Sequence, residues 1–376
     1  MSLRFCLALS GRGWERRDPA AGVARTVELG RLADAAGLDS LWVGEDPDSW
    51  DAFAVLGTLA AQTERVRLGP GVTNPYLRHP NLIAASVATL DRLSAGRAFL
   101  GLGRGQTEWY RHALGQPTGR PLAVLEETIA LLRDWWRPPF RASSRPVGDQ
   151  PLHFGVRDWA RTVRPVQATP PIYLAAVGPR ALTLAGRLAD GVLFNELASP
   201  TFIAGAIERV RAAAVAAGRD PAALAFFARA GVIVTDDPEP ILERRKAMIA
   251  FIHALPGMER LMESPGFDTE RIIAEVRRVM RTDEVLAHGG GFPDLRAAGD
   301  LAAARRAIPI ELVDRLTVVG PLPHVLARLA ELADLGVSHV FVTQPGRSED
   351  PLRFIALVRA LGATVATTDH GRSNTA

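Results

Sequence analysis

The sequence contains very little cysteine, lysine or aromatic side chain. Cys6 is the single cysteine of 376 residues, Lys246 is the single lysine among 44 basic residues, and 6% of the residues are aromatic. A chain with one cysteine forms no internal disulfide. Because Cys6 lies in the apolar run RFCLAL, we interpret it as a small buried residue rather than a catalytic thiol. This usage is typical of a reducing compartment, and we expect a cytoplasmic protein.

The sequence also lacks charge runs, long apolar runs and paired metal ligands. The net charge is +3, with the charges interspersed and no basic block, so we predict no nucleic-acid partner. No apolar run approaches the length of a membrane span. The opening MSLRFCLALSGRGW has a short apolar stretch and no Ala-x-Ala site, so we interpret it as a first strand. The eight histidines show no ligand spacing, and we predict no metal site.

What the chain does contain is a regular alternation of apolar runs and amphipathic stretches. Repeated strand–helix units favour an α/β protein with parallel strands, and eight of them fit a (β/α)8 TIM barrel. A doubly wound open sheet is the alternative, but the G-x-G-x-x-G sequence that usually follows its first strand is absent. The predicted strands are residues 3–9, 38–45, 65–72, 96–103, 171–177, 190–196, 224–234 and 337–344.

Two segments interrupt this alternation within what we interpret as one domain, residues 1–376. Residues 137–169 are rich in proline and arginine, and residues 235–310 combine helical stretches with the sequence HGGGFPDL. Both are too long for simple connections, so we predict insertions, the second forming a lid over the barrel mouth. HGGG occurs in esterases, but no G-x-S-x-G sequence accompanies it. We predict a flexible tail at 363–376.

Functional residues of a TIM barrel lie at the carboxyl ends of its strands, and here these ends are rich in glycine and proline. The third predicted strand continues into LGPGVTNPYLRHP, residues 68–80, with three prolines and two glycines. The fifth continues into AVGPRAL, where Gly178 precedes Pro179 and Arg180. A helix that begins there would offer free N–H groups beside a guanidinium, which suits a phosphate, although an ordinary turn gives the same sequence.

These two blocks carry a resemblance to a known family. LGPGVTNPYLRHPNLIAASVATLDRLSAGRAFLGLGRG and PIYLAAVGPRALTLAGRLADGVLFNE are similar to the central and later blocks of the bacterial-luciferase-like superfamily. Within it, the chain most resembles the 5,10-methylenetetrahydromethanopterin reductase branch, which uses the deazaflavin coenzyme F420. The resemblance covers residues 1–235 well and 308–362 moderately.

The resemblance implies a luciferase-like TIM barrel and a set of cofactor contacts. It places a non-prolyl cis peptide at Gly71–Val72, behind the central ring of the cofactor. Glu45 would contact the ring edge. The residues that would line the ring and its side chain are Gly71, Val72, Thr73, Asn74, Gly103, Arg104 and Gln106. Those that would hold the phosphate are Ala176, Val177, Gly178, Pro179 and Arg180.

One position departs from the reductase pattern. Ala8 stands where these reductases carry a glutamate on the first strand, and Asp46 stands where alcohol-oxidising relatives have a histidine. The residues predicted to bind the cofactor therefore match the reductase family, and those on the substrate side do not. The candidate catalytic acids are Glu45, Asp46 and Glu196.

We therefore expect an oxidoreductase that transfers hydride between coenzyme F420 and a small organic substrate, either pterin- or folate-like or a carbonyl or enone compound. An FMN-dependent monooxygenase of the same superfamily is one alternative. A protein that binds the cofactor without turnover is another. Relatives often dimerise through helices near the second and third strands, so the resemblance also implies a homodimer.

Overall fold

The computed structural model describes residues 3–9, 19–47, 49–112, 114–149, 151–343 and 351–372, apart from the side chains of residues 19–21, 108–109, 351–352 and 364–372. Within these ranges, strands and helices alternate along the chain. The strands are β1 (Arg4–Leu9), β2 (Ser40–Val43), β3 (Arg67–Pro70), β4 (Leu100–Leu102), β5 (Arg141–Ala142), β6 (Trp159–Ala160), β7 (Ile172–Ala175), β8 (Gly191–Leu193), β9 (Ala225–Val234), β10 (Val319–Gly320) and β11 (His339–Val342).

The helices follow the strands as the apolar spacing predicts. Several begin at a side chain that accepts a backbone N–H, including Asp51, His79 and Ser199. The helices are α1 (Pro19–Ala36), α2 (Ala52–Gln62), α3 (Pro80–Leu93), α4 (Thr107–His112), α5 (Pro121–Trp136), α6 (Pro179–Leu188), α7 (Pro200–Ala216), α8 (Glu239–Met248), α9 (Thr269–Met280), α10 (Thr282–Ala287), α11 (Phe292–Ala298), α12 (Leu301–Ala307), α13 (Ile310–Leu316), α14 (Leu322–Asp334) and α15 (Pro351–Arg372). None of these helices combines the length and apolar character that a membrane span requires.

Eight parallel strands close into a barrel, which confirms the predicted fold and excludes the open sheet. Their hydrogen-bonded order is β3-β2-β1-β11-β9-β8-β7-β4, and β10 pairs with β9 outside this path. Backbone bridges from Leu68 to Ala98 and from Thr73 to Leu102 join β3 to β4 and complete the ring. β9 therefore lies on the opposite side of the barrel from β3.

Aromatic side chains fill the middle of the barrel. The indole of Trp42 lies 4.4 Å from the ring of Phe99 and 4.9 Å from that of Phe227, between ring centroids. Tyr173 and Phe341 complete this cluster, which also includes the buried Cys6. Burial raises the pKa of the Cys6 thiol, as suits the predicted role of a small apolar residue. The aromatic cluster forms the floor of the barrel mouth.

Both predicted insertions pack on the barrel through specific contacts. In residues 137–169, the short antiparallel pair β5–β6 is the regular structure, and Glu127 of α5 accepts hydrogen bonds from the backbone N–H groups of His153 and Phe154, at 2.8 and 3.2 Å. The helices of residues 235–310 form a second hydrophobic core with residues 308–319. In this segment Gly289 lies against His112 of α4, beside the mouth. The role of the second insertion as a lid stays a prediction.

The predicted tail is helical over most of its length, and its flexibility stays a prediction. Helix α15 continues to Arg372, so residues 363–372 of the predicted flexible tail are helical. Helix-favouring alanines at 360, 363 and 366 account for this continuation. Residues 373–376 lie outside the described residues.

Candidate active site

The loop after β3 bends into the barrel mouth. The Gly71–Val72 peptide bond is cis, as the resemblance implies, and Val72 is half-buried. A Cβ built on Gly103 would lie 2.8 Å from Cγ2 of Val72, and one on Gly101 would lie 2.1 Å from the Pro70 carbonyl oxygen. Gly101 in β4 and Gly103 just after it thus leave room for this loop, which we name the β3 bulge (residues 71–73).

The polar side chains of Thr73, in the bulge, and Asn74, just after it, are buried and point into the protein. The Thr73 hydroxyl donates to Glu45, and the Asn74 amide donates to the Tyr110 hydroxyl at 3.0 Å. The Asn74 side-chain oxygen accepts the N–H groups of Tyr76 and Leu77, both at 3.0 Å. These two predicted cofactor residues therefore shape the wall of the site, since their side chains are occupied by protein groups.

Glu45 belongs to a buried ion pair. Nε of Arg78 lies 2.6 Å from its Oε1, and Arg78 also pairs with Asp51. Although burial opposes the charge of Arg78, its hydrogen bonds to Glu45 and Asp51 raise its pKa. Thr73 and Arg78 donate to the two carboxylate oxygens of Glu45, so this side chain acts as a hydrogen-bond acceptor in the wall beside the bulge. Its predicted contact with the ring edge stays a prediction.

The predicted phosphate site is a helix N-terminus with open space around it. Gly178 precedes α6 in an extended conformation, with Pro179 in the first turn and no side chain capping the helix. No heavy atom lies within 4 Å of a Cβ built on Gly178, and Arg180 is exposed. Ala176 is buried and Val177 half-buried beneath this turn. The free N–H groups and the guanidinium can therefore both reach an anion.

The remaining predicted cofactor residues lie between the bulge and α6. Arg104 and Gln106 are half-buried at the carboxyl end of β4, and Gly105 between them has a φ of +57° against Tyr110. A Cβ on Gly103 would also lie 3.5 Å from Cβ of Ala175 in β7. The predicted contacts thus form one continuous arc over β3, β4 and β7, which we name the cofactor arc.

The other candidate acids lie on neighbouring strand ends. Asp46 follows β2 and is exposed. Burial, and secondly the negative charge of Asp46, raise the pKa of Tyr110 to about 12. Glu196 follows β8, half-buried, with its Oε1 3.5 Å from Nη2 of Arg229. Ala8 lies on β1 against the aromatic cluster. The structure thus brings all three acids to the mouth. Glu45 and Asp46 lie on the β2 side of Ala8, and Glu196 lies on the other side, after β8.

Several residues of the mouth were not predicted from the sequence. Arg78 and Tyr110 support the cofactor arc, and Arg229 and Arg245 lie on the far side near Glu196. An arginine within the apolar strand LAFFARAGVIV was a usable signal for Arg229, because a charge in a barrel strand needs a reason. Arg245 lies in an ordinary charged helix and gave no such signal. In the described part of the chain, no group of three metal-ligating side chains converges.

Comparisons with known proteins agree with this architecture. The luciferase-like monooxygenase family model matches residues 3–339. A 5,10-methylenetetrahydromethanopterin reductase of Methanolobus tindarius is 30% identical over 87% of this chain and 92% of its own length. A phthiodiolone/phenolphthiodiolone dimycocerosates ketoreductase of Mycobacterium bovis is 30% identical over 81% of this chain and 76% of its own length.

The fold is also that of a solved relative. The coenzyme F420-dependent tetrahydromethanopterin reductase of Methanopyrus kandleri superposes with a TM-score of 0.73 and 24% identity, over 96% of this chain and 98% of the other. The family-model match over residues 3–339 shows that the chain belongs to the luciferase-like monooxygenase family.

Proposed function

We propose that this protein is an F420-dependent oxidoreductase that transfers hydride between the deazaflavin and a small organic substrate. The observation that carries the proposal is the cofactor arc, which runs without interruption from the β3 bulge to the open N-terminus of α6. The F420-dependent reductase with the same fold and the ketoreductase relative support a carbonyl- or pterin-like substrate.

The residues present fit this cofactor. A flat ring needs a wall that approaches closely, and Gly103, with the half-buried Val72, gives backbone and a small side chain there. A phosphate needs donors, and the first turn of α6 with Arg180 offers them where a Cβ on Gly178 would meet open space. When bound, the deazaflavin supplies the hydride chemistry.

The chain's own contribution to turnover is positioning and proton supply. The β3 bulge and the aromatic floor fix how deep a ring can enter the mouth, which favours a reactive orientation. Reduction of a carbonyl also needs a proton. Glu45 is poorly placed to give one, because Thr73 and Arg78 occupy its oxygens. Asp46 and Glu196 are the remaining candidates, and Asp46 is the more exposed.

An FMN-dependent monooxygenase is the second candidate. The family that matches residues 3–339 is described as luciferase-like monooxygenase, and this supports the alternative. A phosphate-binding helix and a bulge behind a tricyclic ring serve FMN as well as F420, so cofactor preference has to be measured.

Titration of the purified protein with F420 and with FMN, followed by absorbance, tests the proposal. We expect saturable F420 binding and, anaerobically, oxidation of reduced F420 by at least one folate, pterin, ketone or enone. Preferential FMN binding with oxygen consumption would establish the alternative. Tight F420 binding with no acceptor in the panel would favour a binding protein without turnover.

A matched pair of variants on α6 locates the cofactor. Arg180→Gln removes a guanidinium from the predicted phosphate site, and we expect F420 affinity to fall roughly 10-fold or more, as for the loss of a charge-assisted hydrogen bond. Arg187→Gln removes the same charge at the other end of α6, where Arg187 pairs with Glu126 at 3.0 Å. Equal effects of both variants would show that the helix N-terminus is not the phosphate site.

A further inference from the structure

Three charged side chains meet on the side of the mouth that the cofactor arc leaves free. Arg229 extends from β9, with its guanidinium carbon 5.5 Å from the ring centre of Phe341, and its Nη2 lies 3.5 Å from Glu196. Arg245 reaches the same region from α8, where its Nη2 lies 3.3 Å from the Thr343 hydroxyl. The segments after β8 and β11, the middle of β9 and the second insertion thus contribute to one charged cluster.

The cluster carries more positive than negative charge. Glu196 is the carboxylate that acts on both guanidinium groups within the described part of the chain. Burial lowers the pKa of Arg245, Glu196 opposes this, and the neighbouring Arg244 adds to it. At 3.5 Å, the contact between Arg229 and Glu196 is longer than a good charge-assisted hydrogen bond. Among the described residues, neither half-buried guanidinium has a full carboxylate partner, which costs free energy that a second anion would recover.

The backbone is shaped to receive Arg245. Gly231 in β9 has a φ of +62°, and a Cβ there would lie 2.9 Å from Nη2 of Arg245. Any other residue at 231 would therefore be strained and would displace the guanidinium. Gly231 lies where the register of β9 against β11 shifts between Val340 and Val342, so a bulge in β9 accounts for its positive φ, and the missing side chain lets the arginine lie directly on the strand.

The cluster also faces the place where a reaction partner must lie. β9 is on the opposite side of the ring of strands from β3, which carries the bulge. With a flat cofactor against the β3 side, the free space for a second reactant is bounded by β8, β9 and β11. Glu196 and Thr343 follow β8 and β11, and Arg229 lies within β9, two residues beyond Phe227, the last residue that pairs with β8.

We propose that Arg229 and Arg245 form a binding subsite for a carboxylate or phosphate group of the substrate, and that Glu196 is the counterion that this group competes with. That this anion belongs to a substrate rests on the proposed function; the anion site itself does not. Two planar guanidinium groups on different elements give the fixed donors that a carboxylate or phosphate requires. The subsite would admit anionic acceptors and disfavour their neutral analogues.

Calorimetric titration of the cofactor-free protein with inorganic phosphate tests the site, when every variant is made in an Arg180→Gln background that removes the guanidinium of the predicted α6 phosphate site. We expect Arg229→Gln and Arg245→Gln each to weaken phosphate binding ~10- to 100-fold, as for loss of a charge-assisted hydrogen bond. Glu196→Gln should strengthen it, an effect that a merely structural role for Glu196 would not produce. Arg209→Gln, on the exposed face of α7, makes the same change in net charge and should leave the affinity unchanged. Circular dichroism of each variant checks that it is folded.

Two further measurements identify the source of the anion. F420 affinity should be the same in Arg245→Gln and wild type; a 10-fold loss would assign the subsite to the cofactor and overturn the substrate proposal. With reduced F420, Arg245→Gln should lower kcat/KM for a keto acid but not for its methyl ester. A phosphate affinity that is the same in Arg229→Gln, Arg245→Gln, Glu196→Gln and wild type would overturn the anion site. Binding that depends on both arginines, in a protein that oxidises no F420, would keep the site and reject the proposed function.

Discussion

The space between the β3 bulge and β4 gives a prediction that can be worked out from distances. The substitution is Gly103→Ala. Its new Cβ would lie 2.8 Å from Cγ2 of Val72, closer than carbon atoms pack, and 3.5 Å from Cβ of Ala175, an ordinary contact. The φ of Gly103 is outside the left-handed region, so the cost comes from the contact with Val72 and not from the backbone conformation.

The magnitude follows from this single contact. Overpacking by one methyl group costs about 1–3 kcal/mol of unfolding free energy. Val72→Ala alone removes two half-buried methyl groups and should cost about 1 kcal/mol. In the double variant Cγ2 is gone and the nearest atom of residue 72 is Cβ, at 3.8 Å. We therefore expect the double variant to be more stable than the sum of the single changes by about 1–2 kcal/mol.

Wild type, the two single variants and the double variant form a double-mutant cycle. Equilibrium urea denaturation followed by circular dichroism measures the unfolding free energy of each of the four proteins. Gly205→Ala is the control, because Gly205 is exposed in α7 with no atom within 4 Å of the added Cβ. It should stabilise the protein by up to about 1 kcal/mol, through helix propensity. Additive losses in the Val72 and Gly103 variants would refute the reasoning, since they would show that Val72 is not what requires a glycine at 103.

Two further predictions concern buried groups outside the cofactor arc. Burial lowers the pKa of His253 to about 4, and its Nε2 lies 3.2 Å from the Leu197 carbonyl oxygen. The unfolded chain, with a histidine pKa near 6.5, binds the proton more readily, so His253 should cost about 2 kcal/mol of stability between pH 7 and pH 5. Urea unfolding of His253→Gln at both pH values should show that this loss of unfolding free energy is absent. An equal loss in the variant and the wild type would contradict the low pKa of His253. Glu127→Ala leaves the half-buried N–H groups of His153 and Phe154 without their acceptor, at about 1 kcal/mol each, and should speed protease cleavage within 143–156. Glu126→Ala is its control, and equal cleavage of both variants would show that Glu127 does not anchor the insertion.

The barrel could be predicted from the sequence because its strands are encoded locally. Parallel strands buried on both faces appear as continuous apolar runs such as LRFCLAL, and glycine and proline mark where each run ends. Helix α6 was bounded by the same local signals, with Pro179 in its first turn. The resemblance then supplied the cofactor arc, since its contacts lie within two short blocks.

The charged partners could not be predicted because they come from distant parts of the chain. Glu45 and Arg78 are 33 residues apart, and Arg245 and Thr343 are 98 residues apart. No periodicity within one helix or strand indicates such pairs. In the sequence GLGRG, the residues alone do not distinguish a glycine that contacts a ligand from one that packing requires. We predicted its Gly103 as a cofactor contact, and that stays a prediction, but the structure gives this glycine a packing reason as well, the space for Val72.

The aromatic cluster in the middle of the barrel has a consequence for the order of events in turnover. Trp42, Phe99 and Phe227 fill the middle of the barrel, so the proposed cofactor and substrate would share the opening at the carboxyl ends of the strands. A deazaflavin bound against the β3 side would leave the substrate the space beside β8, β9 and β11. We therefore expect the steady-state product-inhibition patterns of a compulsory-order mechanism, with the proposed deazaflavin first to arrive and last to depart.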